Sequence, residues 1–304
     1  MIKNPGWVDL QVNGQIGVDF SSDTLDRDGF LRAADAILAS GTALFLPTVI
    51  TGSAAMYQCN LGLIAKAVES AGLEKNIPGI HLEGPFLAPE PGYIGCHNPR
   101  CVQPPSPEGF DQLMDAAHGK IKLLTAAAAP DSGELIAHAV KLGVTVSIGH
   151  HNATPESLRF AAAHGAKALT HLGNGVPNFL PRHRNAIFAG LANDDLTAMA
   201  ISDGHHLPPE VLKCFVRCKG AGKLVIVSDG SPAAGLPPGR YNVLGNDAVL
   251  EASGRLYNPA KQCLVGSAAT LAQCMDFLAS LELLSDAELA AVGRDNALAL
   301  IGLK

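Results

Sequence analysis

Eight short apolar runs, separated by segments with helical spacing, constrain this chain more than any other feature. The runs Gly6–Val12, Leu44–Ile50, Ile77–Glu83, Lys122–Ala128, Val144–Ile148, Ala168–Leu172, Leu196–Ile201 and Leu224–Val227 read as buried strands. Between them Asp26–Ser40, Ser53–Ala71, Pro107–Ala117, Asp131–Leu142, Thr154–His164 and Pro208–Lys219 read as helices, with Phe30, Leu31, Ala34, Ile37 and Leu38 on one face of the first. Gly41 is placed to stop that helix, and Thr154-Pro155-Glu156 is a strong start signal. The alternation predicts an α/β chain closed into a (β/α)8 TIM barrel, not a doubly wound sheet. Asn13-Gly14-Gln15-Ile16-Gly17 lacks the glycine pattern of a nucleotide loop and does not lead directly into a helix. Gly84–Ser106 is too long for a simple connection, which marks either function or disorder. The Gly/Pro-rich excursion at 235–265 has room for a β-hairpin insertion, and three helical segments close the chain. Residues 1–304 read as a single catalytic barrel domain.

Polar side chains interrupt the apolar runs mostly at their C-terminal ends. They are Asp9, Gln11 and Asn13, then His81 and Glu83, His150-His151-Asn152, His171 and Asn174, Asp203, His205 and His206, and Ser228-Asp229. A barrel gathers these ends on one rim, where barrel enzymes place their sites. A buried carboxylate is costly unless paired or bound to metal, so Glu83 needs a partner. Imidazoles and a carboxylate converging there form a divalent metal site, most simply Zn²⁺ with Glu83, His150, His171 and water; Fe, Mn and Co share such donors. Asp229, free of that task, suits a general base and then acid. Taken singly, a strand-end histidine is more often a hydrogen-bonded structural residue, and Asp203 before Gly204 reads equally as a turn. The coincidence of six strand ends favours the metal site.

Composition narrows the alternatives. The 304 residues are 47% hydrophobic and 16% charged, enough apolar material for a large core. A net charge of −6 without a basic run argues against a nucleic-acid partner. No uninterrupted apolar stretch is long enough for a membrane span, and no signal peptide is evident. Seven scattered cysteines read as reduced side chains, so a cytoplasmic protein is expected.

The motifs resemble those of the N-acetylglucosamine-6-phosphate deacetylases of the amidohydrolase superfamily. The matching stretches are Val8–Gly14, His81-Leu82-Glu83-Gly84-Pro85-Phe86, Gly95-Cys96-His97-Asn98-Pro99, Gly149–Thr154, Thr170–Asn174, Ser202-Asp203-Gly204-His205-His206, Ser228-Asp229 and Leu264-Val265-Gly266-Ser267. They cover nearly the whole chain in the family's order. The resemblance implies metal-dependent hydrolysis of an N-acetyl amino sugar phosphate, with Glu83, His150 and His171 holding one metal ion and Asp229 as catalytic acid/base. It implies that His97 polarises the acetyl carbonyl, and that Cys96, Asn174, Gly175, His206 and the loop Val265, Gly266, Ser267 bind the substrate through its sugar phosphate or sugar hydroxyls. Many amidohydrolases carry His-X-His for a second metal where this chain has Gln11-Val12-Asn13, which implies one metal, with His81 as support for Glu83. The family's phosphate-binding arginine often comes from a neighbouring subunit; Arg182 and Arg184 are the candidates, and a homodimer is implied. The family's sixth-strand motif has an aromatic residue and then Asn-Ala-Met, where this chain reads Gly173-Asn174-Gly175-Val176. The family's accessory β-sandwich is expected to be largely missing. Two rivals stand beside this reading: an amidohydrolase for another N-acylated or cyclic amide, and a catalytically silent sugar-binding barrel.

Overall fold

The computed structural model describes residues 4–303. Eight parallel strands follow one another around a barrel: β1 (Trp7–Val12), β2 (Thr42–Ile50), β3 (Ile80–Glu83), β4 (Ile121–Ala126), β5 (Thr145–Ile148), β6 (Ala168–Leu169), β7 (Thr197–Ile201) and β8 (Leu224–Val227). Outside them lie α1 (Arg27–Ala39), α2 (Ala54–Ala71), α3 (Pro107–Ala116), α4 (Gly133–Lys141), α5 (Pro155–Ala163), α6 (Ala186–Leu191), α7 (Pro209–Lys219) and α8 (Leu271–Ser280). The expected TIM barrel is therefore the fold. Local chemistry sets its boundaries: Asp26 caps α1 by accepting from Gly29 N, and Thr154 and Ser157 form a reciprocal capping box on α5.

Alternation along the strands divides the core. Ala198, Ala200, Leu224 and Ile226 face the helices, whereas Met199, Ile201, Val225 and Val227 join Val8, Leu10, Leu44 and Leu46 in a second cluster inside the barrel. Ala297, Leu298 and Ile301 pack against that inner cluster. The strands thus present an apolar base, and their polar C-terminal residues meet at the other end.

No regular ladder joins β8 to β1. A single parallel bridge between Val12 and Gly230 closes the seam, with Asn13 N donating to Gly230 O at 2.6 Å. Ser228 N donates to Asp9 Oδ1 at 3.1 Å, and Ser228 Oγ to the Gln11 carbonyl at 3.4 Å.

Three differences from the sequence reading have physical causes. The hairpin expected around 235–265 is a four-stranded antiparallel sheet, β9 (Gly239–Val243), β10 (Asn246–Leu250), β11 (Leu256–Asn258) and β12 (Cys263–Leu264). Gly245 and Gly254, at φ +72° and +90°, allow the turns; Val243, Ala248, Leu250, Leu256 and Val265 form a core of their own that also takes in Ile50 of β2. The short helix α6 was not expected, although Asn185 caps it from Phe188 N. β6 stops at Leu169, not Leu172, because the backbone turns left-handed at His171. Among the described residues no helix is long and apolar enough to cross a membrane.

Candidate active site

His150, His171 and Asp229 each lie two residues past the end of their strands β5, β6 and β8. All three have positive φ, at 52°, 28° and 48°. That region strains a side chain with a Cβ by on the order of 1 kcal/mol or more, and such strain gathers at functional sites. It brings these three residues into one cavity with Glu83 from the end of β3.

Glu83 is the hub. Its Oε1 lies 3.0 Å from His171 Nε2 and 3.3 Å from His150 Nε2, and the two imidazole nitrogens are 3.0 Å apart. His97 Nε2 is 3.2 Å from His150 Nε2 and 3.8 Å from Glu83 Oε2. Hydrogen bonds assign the rings different parts. His150 Nδ1 donates to the Tyr93 carbonyl at 2.7 Å, so its Nε2 carries a free lone pair. His97 Nδ1 accepts from Thr51 N at 3.3 Å, which puts the proton on Nε2 and makes His97 a donor toward the cavity. Glu83, His97 and His150 also lie close enough to hold a metal as a trio. The His97 tautomer turns an N–H toward this cluster, whereas His171 Nε2 lies 3.0 Å from both Glu83 Oε1 and His150 Nε2. Tetrahedral Zn²⁺ sites separate neighbouring donors by roughly 3.4 Å, close to the spacings seen here.

The electrostatics of this cluster fit a cation. Burial alone would raise the Glu83 pKa, but the surrounding imidazoles of His150, His171 and His97 hold it well below the usual carboxylate range. Burial disfavours charge on His171 too, yet the Glu83 hydrogen bond and charge push its pKa up. Burial and His150 take His97 down to about 3, leaving it a neutral donor. Gln11 Nε2 donates to Glu83 Oε1 at 3.1 Å from the position where a second metal's ligands would stand.

Asp229 is buried without a cationic partner in contact. Burial, with Glu83 nearby, pushes its pKa up to about 6, against the pull of His171, His206 and a 2.7 Å hydrogen bond from Asn13 Nδ2. A carboxyl poised there can both accept and return a proton near neutral pH. On the neighbouring strand end, His206 Nδ1 lies 2.7 Å from Asp203 Oδ2, which also accepts from Ser267 Oγ at 2.9 Å. Burial works against Asp203, but His206 and the backbone N–H groups of His205 and His206 hold it well below its usual value.

The cavity has a volume of about 440 Å³, within the usual range for small-molecule sites. Asn13, Glu83, Cys96, His97, His150, His171, Asn174, Gly175, His206, Asp229 and Gly266 all line it. Asn174 Nδ2 is buried there with no partner among the described residues, a donor available to a ligand. The other sequence candidates lie elsewhere. His81 sits behind Glu83 between Thr48 Oγ1 at 3.2 Å and Thr125 Oγ1 at 2.8 Å; burial lowers its pKa to about 4. Val265 belongs to the core under the four-stranded sheet, and Ser267 does not line the cavity but braces it, its hydroxyl donating to Asp203 and its backbone N–H to the Asp229 carbonyl at 2.9 Å. Arg182 and Arg184 are exposed and do not line the cavity of their own chain. The sequence reading missed Arg255 and Tyr257, which do line it. Their only signal was a position inside the Gly/Pro-rich excursion.

No protein-family model matches the chain. Among curated proteins, it is 33% identical over 283 residues to the N-acetylglucosamine-6-phosphate deacetylase of Danio rerio, covering 89% of this chain and 68% of that protein. The Bacillus subtilis enzyme of the same name is 33% identical over 253 residues, covering 81% of this chain but 62% of its own length, so the chain spans only part of these relatives. An N-acetylgalactosamine-6-phosphate deacetylase of Escherichia coli is 28% identical over 267 residues, with 86% and 68% covered. Among solved structures, the Mycobacterium smegmatis deacetylase in complex with N-acetyl-D-glucosamine-6-phosphate aligns with TM-score 0.88 at 28% identity, over 98% of this chain and 77% of that one. With motifs, barrel and relatives in agreement over most of its length, the chain belongs to the N-acetylglucosamine-6-phosphate deacetylase family.

Proposed function

We propose that this protein hydrolyses the N-acetyl amide of N-acetylglucosamine 6-phosphate, giving glucosamine 6-phosphate and acetate. The observation that carries the reading is the convergence in one cavity of the Glu83–His150–His171 cluster with Asp229, whose buried carboxyl is pushed up to about 6. Glu83, His150 and His171 would hold one divalent metal ion, Zn²⁺ before Fe, Mn or Co, which when bound polarises a carbonyl and makes hydroxide available near neutral pH. His97 Nε2–H donates to the acetyl carbonyl oxygen, steadying the charge that develops there. Asp229 takes a proton from the attacking water as the new C–O bond forms. It then delivers that proton to the sugar nitrogen as the C–N bond breaks. Asn13 keeps the Asp229 carboxylate oriented through both transfers. Asn174 and His206 contact the sugar phosphate, and the exposed Arg182 is offered to a neighbouring copy in a homodimer.

The test is acetate release from a panel: N-acetylglucosamine 6-phosphate, N-acetylgalactosamine 6-phosphate, unphosphorylated N-acetylglucosamine and N-acetyl amino acids, each with and without added Zn²⁺. The glucosamine phosphate should turn over fastest and only with metal. Preference for the galacto epimer would move the substrate, and release from amino acids alone would remove the sugar reading.

A further inference from the structure

We propose that Arg255 is a specificity residue supplied by this chain to its own site, and that it reads the anionic end of the substrate. This inference rests on the deacetylase reading above and deepens it. Among the residues lining the cavity, Arg255 is the sole lysine or arginine. The carboxylates that line it, Glu83 and Asp229, belong to the reacting end. A neutral acetamide can face the cluster while an anionic group faces the guanidinium.

The local structure presents Arg255 for this role. Glu251 N donates to the Arg255 carbonyl at 2.9 Å and Gly254 N to the Glu251 carbonyl at 3.0 Å, closing the turn between β10 and β11. His205 Nε2 lies 3.1 Å from the Ser253 carbonyl, so the turn is docked on the loop that also carries His206. The guanidinium carbon lies over the Tyr257 ring, 4.0 Å from its centroid, a contact that restrains the group without using its N–H donors. One of them meets Glu251 Oε1 at 3.2 Å; among the described residues no other acceptor meets the guanidinium. A single contact between two half-exposed groups is weak in water, whereas a phosphate dianion takes the guanidinium fork bidentately. Glu251 is thus a resting partner that a phosphate displaces.

Titration calorimetry with the product, glucosamine 6-phosphate, and with glucosamine tests the proposal without relying on turnover. Wild type should bind the phosphorylated sugar more tightly. Arg255→Gln should weaken that binding about tenfold or more and leave glucosamine unchanged, Arg255→Lys should recover part of it, and Glu251→Gln should not weaken it. In turnover, Arg255→Gln should raise KM for N-acetylglucosamine 6-phosphate with kcat within about threefold of wild type. Equal binding of glucosamine 6-phosphate by wild type and Arg255→Gln overturns the proposal, as does an equal loss for both sugars or no binding by wild type. A wild-type protein that binds glucosamine 6-phosphate through Arg255 but releases no acetate would leave Arg255 standing and remove the deacetylase reading.

Discussion

At His97 the backbone N–H of Thr51 occupies Nδ1, and at His150 the Tyr93 carbonyl does so. One ring is thereby left with an N–H facing the cavity and the other with a lone pair, although the two Nε2 atoms are only 3.2 Å apart. A carbonyl and an amide from the backbone thus divide acid-like from ligand-like behaviour. Neither partner could be named from sequence, because backbone groups carry no residue signature. Asp229 has the opposite history: its place after a buried strand made it a candidate, and the structure gives it burial and Asn13. Asp229→Asn should keep the shape, retain metal binding and lose the proton transfer. We expect turnover to fall by ~10²–10⁴ while metal content per chain, measured by mass spectrometry, stays at the wild-type value. Near wild-type turnover would remove Asp229 from the mechanism.

Among the elements, β1 and β8 stand apart because one backbone bridge and side-chain hydrogen bonds, instead of a regular ladder, hold their seam. Asp9 accepts from Ser228 N and from Gln11 N, and it is 1% exposed with no cation beside it. Burial pushes its pKa up to about 7, against the hydrogen bonds from Ser228 and Gln11. A folded-state value above the ordinary 3.8 means the folded protein holds a proton there that the unfolded chain releases. The contribution of Asp9 is fully present below about pH 4 and is lost as pH rises toward 7, by roughly 1.4 kcal/mol for each unit between them at most. Asp9→Asn keeps an acceptor and cannot ionise. Urea unfolding of the metal-free protein should therefore show the variant gaining on wild type between pH 5 and pH 7.5, as a difference that grows with pH. A difference flat across that range would mean Asp9 is not protonated in the folded state. The strands themselves were legible, since an apolar run with a helix after it has few alternatives. The seam was not, because it depends on a carboxylate reaching across 219 positions of sequence. The four-stranded sheet was read as a single hairpin because its strands are short and its alternation is spread across several glycine turns.

For the whole molecule, the rim residues come from points as far apart as Asn13 and Asp229, and only closure of the barrel unites them. That is why the Glu83, His150 and His171 cluster was legible: the family's motifs and the strand-end rule both put these residues on one rim. It is also why Arg255 was not: it lies between two strands of the four-stranded sheet, and no local pattern encodes where that sheet meets the rim. The same closure couples metal binding to folding. The unfolded chain separates Glu83, His150 and His171, so a cation that needs all three binds the folded state alone. At a hundredfold excess over its dissociation constant, such a ligand stabilises the fold by about 2.7 kcal/mol. In a domain of this size that corresponds to a rise in Tm of roughly 4 °C. Added Zn²⁺ should therefore raise the Tm of the metal-free protein in a concentration-dependent way, and a chelator should reverse it. Glu83→Gln preserves volume and the contact with Gln11 but removes the charge at the hub. It should fold and show little of that shift. A shift equal to wild type in Glu83→Gln would place the metal elsewhere, because a cation bound at surface histidines or cysteines would not feel the change. Asp229→Asn separates the two roles in the same experiment, since it should keep the full shift while losing turnover.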